Sequence, residues 1–331
     1  MNYAPAASSI LSPTYLAEFV VNRYDFDETT TCRILKTGIN HTYLITTSNQ
    51  KFVLRVYFYN WRSEDEIREE LRLLDYLKEN DISVSYPIKD CDGNYINRIA
   101  AFEGERFAVL FSFAEGDSVR VPLESVSYSL GVTMAKMHQL TLNRTVKRKY
   151  YDASTLVTWA LQAAKRHFTE PSFEMDYFEQ ASAVISAVFE KADTSSLRYG
   201  IVHLDLWYEN MKVKDESQIT FFDFDNCGNG WLFLDMAYSL MILFRNEPDQ
   251  AKFESKKESF YRGYESVASI SDEEKRLIPY GSLAIWLHYT GIHVQRFDDF
   301  SNQFLSPDFL KYWIRTVNQW IEYNGIKIHS L

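Results

Sequence analysis

Alternating apolar and polar positions dominate the N-terminal part of the chain and predict β-strands there. Residues 32–57 are rich in β-branched and aromatic side chains and are interrupted by turn residues at 48–50. Strand-like runs return at residues 87–99, around an Asp-Gly-Asn turn, and at residues 107–113. With one helix between the two groups, this ββαββ layout predicts an antiparallel sheet that carries a single helix.

The helix between the strands is predicted to begin with a capping box, formed by Ser63 and by Glu66 three residues later. Apolar residues then recur at helical spacing at Ile67, Leu71, Leu74 and Leu77. On a helical wheel Glu70 falls on this apolar stripe and Glu69 on the opposite face. Because a carboxylate on an apolar face needs a cation, Glu70 is predicted to pair with Arg55 of the preceding strand.

The pattern changes after Gly116 and becomes mainly helical. Residues 128–140 have apolar side chains at helical spacing, further helices run to Lys191, and the chain is again mostly helical from Leu234. Two short strands are predicted in between, at residues 201–203 and 219–222. We therefore expect an α+β protein with a small sheet-bearing domain at residues 1–114, ending in a linker strand, and a larger helical domain at residues 115–331.

Composition and charge narrow the range of partners and compartments. The net charge of −10 argues against a nucleic-acid partner, because phosphate backbones attract basic surfaces. The 3 cysteines lack metal-ligand spacing, which favours free thiols in a reducing compartment. The first residues are not predicted to be a signal peptide, and the longest apolar stretch, residues 231–244, is too short to span a bilayer. We expect a cytoplasmic protein without a membrane partner.

The strongest chemical signal lies at the two short strands of the helical domain. After the first strand the chain reads His-x-Asp-x-x-x-x-Asn, with His203, Asp205 and Asn210, and Asp223 closes the second strand. Phosphoryl transfer needs an oriented hydroxyl, neutralised phosphate charge and metal ions at the phosphate oxygens. Asp205 can accept the proton of an attacking hydroxyl, and Asn210 and Asp223 offer oxygen ligands of the kind that Mg²⁺ prefers. Order, spacing and flanking strands together indicate a phosphotransferase site.

This arrangement resembles the superfamily of aminoglycoside phosphotransferases, choline kinases and type II homoserine kinases, whose loop typically reads His-Gly-Asp-x-His-x-x-Asn. The resemblance covers nearly the whole chain and implies a protein-kinase-like two-lobed fold. It implies a kinase that moves the γ-phosphoryl of ATP (or GTP) to a hydroxyl of a small molecule, with Mg²⁺ as cofactor. It identifies Asp205, together with His203, as catalytic and Asn210 and Asp223 as the Mg²⁺ ligands.

The same resemblance identifies Asp235, at the start of the next helix, as a support for the catalytic loop, with Asp225 as a second supporting residue. The simple alternative for Asp235 is that it caps its own helix. Two residues depart from the family pattern: Leu204 replaces the usual glycine and Trp207 the usual histidine. Neither change removes the base or a metal ligand, so they bear on the acceptor rather than on the reaction type.

Nucleotide-binding candidates in the N-terminal domain also follow from the resemblance. An arginine stands where kinases carry a phosphate-binding lysine, and the turn between the first two strands would cover the phosphates. That turn has a single glycine and matches neither GxGxxG nor Walker A. The linker strand would present backbone groups to the base. The candidates are Arg55, Glu70, Gly38, Asn40, Ser112 and Phe113.

The acceptor is the least defined part of the prediction. Aromatic residues make up 16% of the chain, and aromatic faces beside a carboxylate can hold an ammonium group. The C-terminal half concentrates such residues at Tyr238, Phe244, Trp286, Tyr289, Phe297, Trp313 and Trp320, with Asp298 and Asp299 among them. A cationic amino alcohol or amino acid and a neutral sugar-like molecule both remain open as acceptors.

Two other functions also remain open. A nucleotide-binding pseudokinase or scaffold would account for Arg55, Leu204 and the single-glycine turn. Joint retention of the site residues argues against it; these are Asp205, Asn210, Asp223, Glu70 and Asp235. A Ser/Thr protein kinase of the same superfamily would need an extended or basic groove, for which the sequence has no signal. The choice between ATP and GTP and the oligomeric state are not readable from the sequence.

Overall fold

The computed structural model describes residues 6–296 and 307–328. These residues divide into an N-terminal unit, Met1–Glu115, and a C-terminal unit, Gly116–Leu331. Within the described residues, none of the helices is both long and apolar enough to cross a membrane.

From residue 6 onward, where the structure describes it, the N-terminal unit contains one six-stranded antiparallel sheet and two helices. Strands β1 to β3 precede helix α2 (Glu64–Glu79), and strands β4 to β6 follow it. The strands are β1 (Thr31–Thr37), β2 (His41–Thr46), β3 (Lys51–Val56), β4 (Pro87–Ile88), β5 (Asn97–Ala101) and β6 (Gly104–Ser112). Their order is β1-β2-β3-β6-β4, with β5 also paired to β6. The predicted ββαββ layout, with two strands on each side of the helix, was therefore wrong. The sheet has three strands before α2 and three after it, because turns divide the strand-like segments into more strands than predicted.

A helix that was not predicted, α1 (Pro13–Tyr24), precedes the sheet. Its sequence signals are a capping serine, Ser12, and a proline at the first helical position. Its buried face packs on one side of the sheet, and this core contains Leu16, Val20, Tyr24, Tyr43, Ile45, Leu54, Val56, Ile99, Ala108 and Leu110. Since side chains alternate across a strand, Arg55 between two of these core residues points to the other face.

The C-terminal unit is mainly helical in its described part. The helices are α3 (Glu124–Thr141), α4 (Trp159–His167), α5 (Phe173–Glu190), α6 (Phe233–Asn246), α7 (Gln250–Glu265), α8 (Asp272–Gln295) and α9 (Pro307–Tyr323). Helices α3 and α7 pack closely because glycines face the partner backbone. A Cβ atom on Gly263 would lie 2.0 Å from the carbonyl oxygen of Tyr128, so a larger residue would separate the helices.

Short strands in the C-terminal unit hold the motif residues. They are β7 (Tyr150–Tyr151), β8 (Tyr199–Val202), β9 (Met211–Lys214), β10 (Gln218–Phe221) and β11 (Gly228–Trp231). Strands β9 and β10 form a hairpin, and β11 lies between β7 and β8. The two predicted strands correspond to β8 and β10; the other three are too short or too rich in glycine and charge for a pattern to indicate them.

Candidate active site

Helix α6 holds the loop that follows β8. The carboxylate of Asp235 accepts the backbone N–H of His203 at Oδ2 (2.9 Å) and that of Leu204 at Oδ1 (2.6 Å). Asp235 is fully buried and makes no capping bond to its own helix, so the alternative of a simple helix cap was wrong. Its place in the first helical turn favours the negative charge through the helix dipole. Two loop amides are thereby fixed immediately before Asp205.

Leu204 adopts a backbone conformation that favours glycine. Its φ is 68°, in the left-handed region, and its side chain is fully buried. A non-glycine residue costs roughly 1–2 kcal/mol in this region, which explains why glycine is usual at this position in the family pattern. The hydrogen bond from Leu204 N–H to Asp235 and the burial of the leucine side chain offset that cost.

His203 is buried and bonded to the backbone through both ring nitrogens. Nδ1 accepts the N–H of Asp205 at 3.3 Å, so Nε2 carries the proton and donates to the carbonyl of Phe222 at 3.1 Å. Burial lowers the pKa of His203, with the charge of Asp235 acting in the opposite direction. A neutral imidazole in this position joins the loop to the end of β10.

Asp205 and Asn210 are in direct contact across the loop. Asn210 Nδ2 donates to the Asp205 carboxylate at Oδ2 (2.8 Å) and to the Asp205 backbone carbonyl (2.9 Å). This orientation leaves Oδ1 as the amide atom of Asn210 that could bind a cation. The backbone carbonyl of Asn210 accepts the N–H of Phe222 at 3.1 Å, which joins the loop to the residue before Asp223.

Asp223 follows β10 in a left-handed conformation (φ 64°), and a single 3₁₀ turn, Phe224–Asn226, comes next. A carboxylate and an amide oxygen suit Mg²⁺, which takes a few hard oxygen ligands and completes its shell with water and phosphate. Within the described ranges, no group of three or more His, Cys, Asp and Glu residues could hold a metal. The residues therefore fit a site with two protein ligands and do not fit an all-protein metal cage.

Asp225 is buried two residues after Asp223. Its backbone carbonyl accepts a hydrogen bond from the guanidinium of Arg148, and the carbonyl of the next residue, Asn226, accepts one from the Tyr151 hydroxyl at 2.7 Å. These bonds anchor the segment after the candidate metal ligand to the region of β7.

Three residues around the loop were not predicted as site residues: His138, Ser239 and Tyr264. The imidazole of His138 lies 3.1 Å from Asp235 Oδ2 through Nε2 and 2.7 Å from the hydroxyl of Tyr264 through Nδ1. A histidine on the apolar face of α3 was the available signal, but such a residue reveals its partner only once α3 and α6 are packed together.

The predicted aromatic residues separate into two groups. Tyr238 and Tyr289 lie with ring centroids 5.6 Å apart, and the charge of Asp205 acts on the hydroxyls of both. The remaining described rings belong to the core: Phe244 packs on Trp320 and Tyr323, and Trp286 on Trp313. Phe297, Asp298 and Asp299 lie outside the described residues.

In the N-terminal unit, the predicted pairing of Arg55 with Glu70 is confirmed. Arg55 Nη1 lies 2.8 Å from Glu70 Oε1, and both side chains are almost completely buried. The hydroxyl of Tyr57 donates to the other carboxylate oxygen at 3.2 Å. Glu69, on the opposite face, pairs with Arg72 at the surface. Helix α2 begins with the predicted capping box of Ser63 and Glu66.

The turn between β1 and β2 is closed by its own backbone and by Asn40. Gly38 N–H donates to the carbonyl of Asn40 (3.2 Å), and Asn40 Oδ1 accepts the N–H of Phe58 (3.1 Å), just beyond β3. A Cβ atom on Gly38 would meet Lys36 Cε at an ordinary 3.7 Å. The fold therefore does not require glycine at this position.

At the end of β6 the two candidate residues of the linker strand differ. The backbone N–H of Ser112 donates to the carbonyl of Tyr86 at 2.8 Å, and its own carbonyl accepts the hydroxyl of Ser85. Ser112 thus holds the sheet edge together. Phe113 follows the strand, with the ammonium of Lys51 5.5 Å from its ring centroid.

Comparison with curated proteins gives relatives with stated activities. The chain is 28% identical to the amicoumacin kinase of Bacillus subtilis over 226 residues, which are 66% of this chain and 64% of that protein. It is 24% identical to the homoserine kinase of Bradyrhizobium diazoefficiens over 269 residues, 80% of this chain and 78% of that protein.

Solved structures share the fold. A microcompartment-associated aminopropanol kinase superposes with a TM-score of 0.75 at 20% identity, over 96% of this chain and 100% of that one. The amicoumacin kinase hAmiN, in complex with AMP-PNP, Ca²⁺ and Ami, has the same TM-score and identity over 97% and 96% of the two chains. The predicted α+β, protein-kinase-like fold is confirmed.

The family model for the phosphotransferase enzyme family (APH) matches residues 31–270, a stretch that runs from β1 to the residues before α8 and includes the loop with Asp205. The chain belongs to this phosphotransferase family and is a kinase.

Proposed function

We propose that this protein is a Mg²⁺-dependent kinase that transfers the γ-phosphoryl of ATP (or GTP) to a hydroxyl of a small, amine-bearing molecule in the cytoplasm. The observation that carries the proposal is the hydrogen bond of 2.8 Å from Asn210 to the carboxylate of Asp205, in a loop whose amides are bound by Asp235. The three cysteines, Cys32, Cys91 and Cys227, are free, in keeping with a reducing compartment.

In the proposed reaction Asp205 is the general base. The acceptor oxygen forms a bond to the γ-phosphorus, the bond from that phosphorus to the bridging oxygen breaks, and the nucleoside diphosphate leaves with the electron pair. The acceptor's hydroxyl proton passes to the carboxylate of Asp205. His203 keeps the loop in place through hydrogen bonds at both ring nitrogens. Burial lowers the pKa of His203 and so favours the neutral imidazole.

The candidate metal ligands are Asn210 and Asp223. A bound Mg²⁺ would neutralise phosphate charge. In the N-terminal unit, Arg55 would bind the phosphates of the nucleotide and Glu70 would orient the Arg55 side chain. The two residues would be an arginine counterpart of the lysine–glutamate pair of kinases. Gly38, Asn40 and Phe113 remain candidates for nucleotide contacts, and Ser112 supports the strand that carries Phe113.

An amine-bearing acceptor is supported by two observations. The relatives include kinases named for aminopropanol and for homoserine, both of which carry an amino group. The ring centroids of Tyr238 and Tyr289 lie 5.6 Å apart, and burial together with the charge of Asp205 raises the pKa of both phenols. An aromatic face with a carboxylate attracts an ammonium group, at roughly 0.5–2 kcal/mol per ring. This pair of rings replaces the larger aromatic set that the sequence suggested.

The test is a nucleotide-consumption screen with Mg²⁺ or chelator against amino alcohols, hydroxy amino acids, aminoglycosides and sugars. We expect turnover only with metal, and a loss of at least about tenfold in kcat/KM when an accepted amine is N-acetylated. Asp205→Asn should lower turnover by at least about 10² while nucleotide affinity stays within a few-fold. Nucleotide binding without turnover on any acceptor would favour a scaffold, and full activity in Asp205→Asn would exclude Asp205 as the base.

A further inference from the structure

Helix α6 holds the catalytic loop through two of its side chains. Asp235 accepts the backbone N–H groups of His203 and Leu204. Ser239, one turn further along the helix, donates its hydroxyl to the carbonyl of Leu206 at 2.7 Å. A carboxylate can rotate about its side-chain bonds, so the position of the loop also depends on what orients the carboxylate of Asp235.

A third donor reaches that carboxylate from helix α3. His138 Nε2 lies 3.1 Å from Asp235 Oδ2, the oxygen that also accepts the N–H of His203. The side chains of His138 and Asp235 are both fully buried. Since Oδ2 acts as an acceptor, the imidazole has to carry a proton on Nε2 to bind it. The tautomer of His138 therefore decides whether its ring supports the carboxylate.

The hydroxyl of Tyr264, on helix α7, lies at the other nitrogen of the same imidazole. It is 2.7 Å from His138 Nδ1, and the two rings meet edge to face with their centroids 5.7 Å apart. Burial raises the pKa of the Tyr264 phenol, although the charge of Arg198 acts in the opposite direction. The hydroxyl accordingly keeps its proton at neutral pH and can donate it to Nδ1. A donor at Nδ1 leaves the proton of a neutral imidazole on Nε2, where it faces Asp235.

The packing around Tyr264 makes this contact close and rigid. A Cβ atom on Gly131, two turns before His138 on α3, would lie 2.7 Å from the backbone nitrogen of Tyr264, so the two helices are in backbone contact there. The guanidinium of Arg198 lies 5.3 Å from the centroid of the Tyr264 ring. That guanidinium is fixed in turn by two hydrogen bonds of 2.9 Å to the carboxylate of Glu274.

We propose that Tyr264 is a positioning residue, whose hydroxyl fixes the imidazole of His138 and thereby orients the Asp235 carboxylate that holds the loop before Asp205. The proposal rests on the proposed role of Asp205 as the base. Each step is a hydrogen bond between buried groups, and in such surroundings these bonds reinforce one another. Loss of the hydroxyl should therefore alter the loop as well as the packing of α7.

The first experiment uses the full chain labelled with ¹⁵N-histidine and needs no acceptor. The label reports the ring nitrogens of His138 and the backbone amide of His203, and the signals are assigned with His138→Gln and His203→Gln. We expect wild-type His138 to carry its proton on Nε2. In Tyr264→Phe the Nδ1 signal and the His203 amide signal should both move. A wild-type proton on Nδ1, or an unchanged His203 amide in Tyr264→Phe, would overturn the proposal.

The matched control for this substitution is Tyr261→Phe. Tyr261 lies one turn before Tyr264 on α7, is partly buried and packs its ring against Phe260. Its phenylalanine variant should leave the ring signals of His138 and the amide signal of His203 in place. Equal movements in the two variants would show that any loss of a phenol on α7 disturbs the loop, and would contradict a specific role for Tyr264.

The second experiment measures turnover with MgATP and L-homoserine or 1-amino-2-propanol as acceptor. Tyr264→Phe should lower kcat about fivefold while the KM for MgATP stays within about twofold, because one neutral hydrogen bond is lost. In a His138→Gln background the same substitution should change kcat by less than about twofold, since the hydroxyl acts through the imidazole. Equal losses in both backgrounds, or a kcat that matches Tyr261→Phe, would overturn the proposal. Full turnover in Asp205→Asn would instead refute the proposed base, and the histidine signals would still decide the role of Tyr264.

Discussion

Each unit has a fully buried helical carboxylate, Glu70 in the N-terminal unit and Asp235 in the C-terminal unit, and these two are stabilised in different ways. Glu70 on α2 has a guanidinium at 2.8 Å and a phenol at 3.2 Å. Asp235 on α6 has two backbone amides and the imidazole of His138. In the Arg55–Glu70 pair a positive charge compensates the negative one. Asp235 is instead stabilised by backbone amides and an imidazole, and these groups point at its carboxylate only when the loop is folded.

The difference predicts what each carboxylate controls. A pair such as Arg55 with Glu70 joins one strand to one helix, and replacing both partners with apolar groups can be nearly neutral for stability. Asp235 joins a helix to the amides beside Asp205, so it couples the stability of the C-terminal unit to the geometry of the candidate base. At the Glu70 site, variants should therefore be able to change nucleotide binding without a matching change in stability. At the Asp235 site, variants should lower stability and turnover together.

The largest effect is expected for Asp235→Asn. The amide can accept at one atom only, so one buried loop N–H faces a donor. We expect the free energy of unfolding in urea to fall by about 3–5 kcal/mol, since each unsatisfied buried group costs about 1–3 kcal/mol, and turnover to fall by at least about 10². The matched control is Asp249→Asn, because Asp249 also accepts two backbone N–H groups but at an exposed helix start. Equal effects of the two substitutions would contradict the comparison.

Arg55→Ala should have the next largest effect. It leaves Glu70 buried with the Tyr57 hydroxyl as a donor, which we expect to cost about 3 kcal/mol in the free energy of unfolding. The KM for nucleotide should rise and kcat fall. Arg55→Lys should restore part of both, because lysine supplies the charge but not the planar fork of donors. Arg72→Ala, in the exposed pair with Glu69, is the control and should change stability by less than about 0.5 kcal/mol.

The double variant Arg55→Met with Glu70→Leu makes the comparison sharper. Stability in urea should recover to within about 1 kcal/mol of the wild type, since no unpaired charge remains. Nucleotide KM should stay high. Recovery of nucleotide affinity along with stability would show that the pair is structural only.

The smallest effect concerns His203 and pH. The unfolded chain protonates this imidazole near its ordinary value of about 6.5, whereas burial lowers the pKa of His203 in the folded protein. As pH falls below about 6.5, the unfolded state binds a proton that the folded state does not, so stability is lost by at most about 1.4 kcal/mol per pH unit. His203→Gln keeps a donor and an acceptor and should have a shallower acid slope in urea unfolding. Identical slopes would mean that His203 is protonated in the folded protein.

The local sequence pattern was sufficient to predict features that depend only on residues close together in the chain. The capping box of Ser63 and Glu66 and the face of α2 that carries Glu70 follow from helix geometry, which is the same in any protein. The order of His203, Asp205, Asn210 and Asp223 around two short strands was likewise readable. The candidate chemistry and the fold class were therefore predictable before any contact was known.

Only the tertiary structure decided which side chains lie around the loop that carries the candidate base. Tyr238, Tyr289 and His138 come from three helices that are distant in sequence, and helical spacing alone makes them ordinary core residues, as it does Trp313 and Trp320. The left-handed backbone of Leu204 is equally invisible in the sequence, because its cost is offset by a carboxylate that lies 31 residues further along the chain. A sequence pattern indicates the hydrophobic period of a helix or strand, but only the packed structure determines which other helix or strand that element contacts.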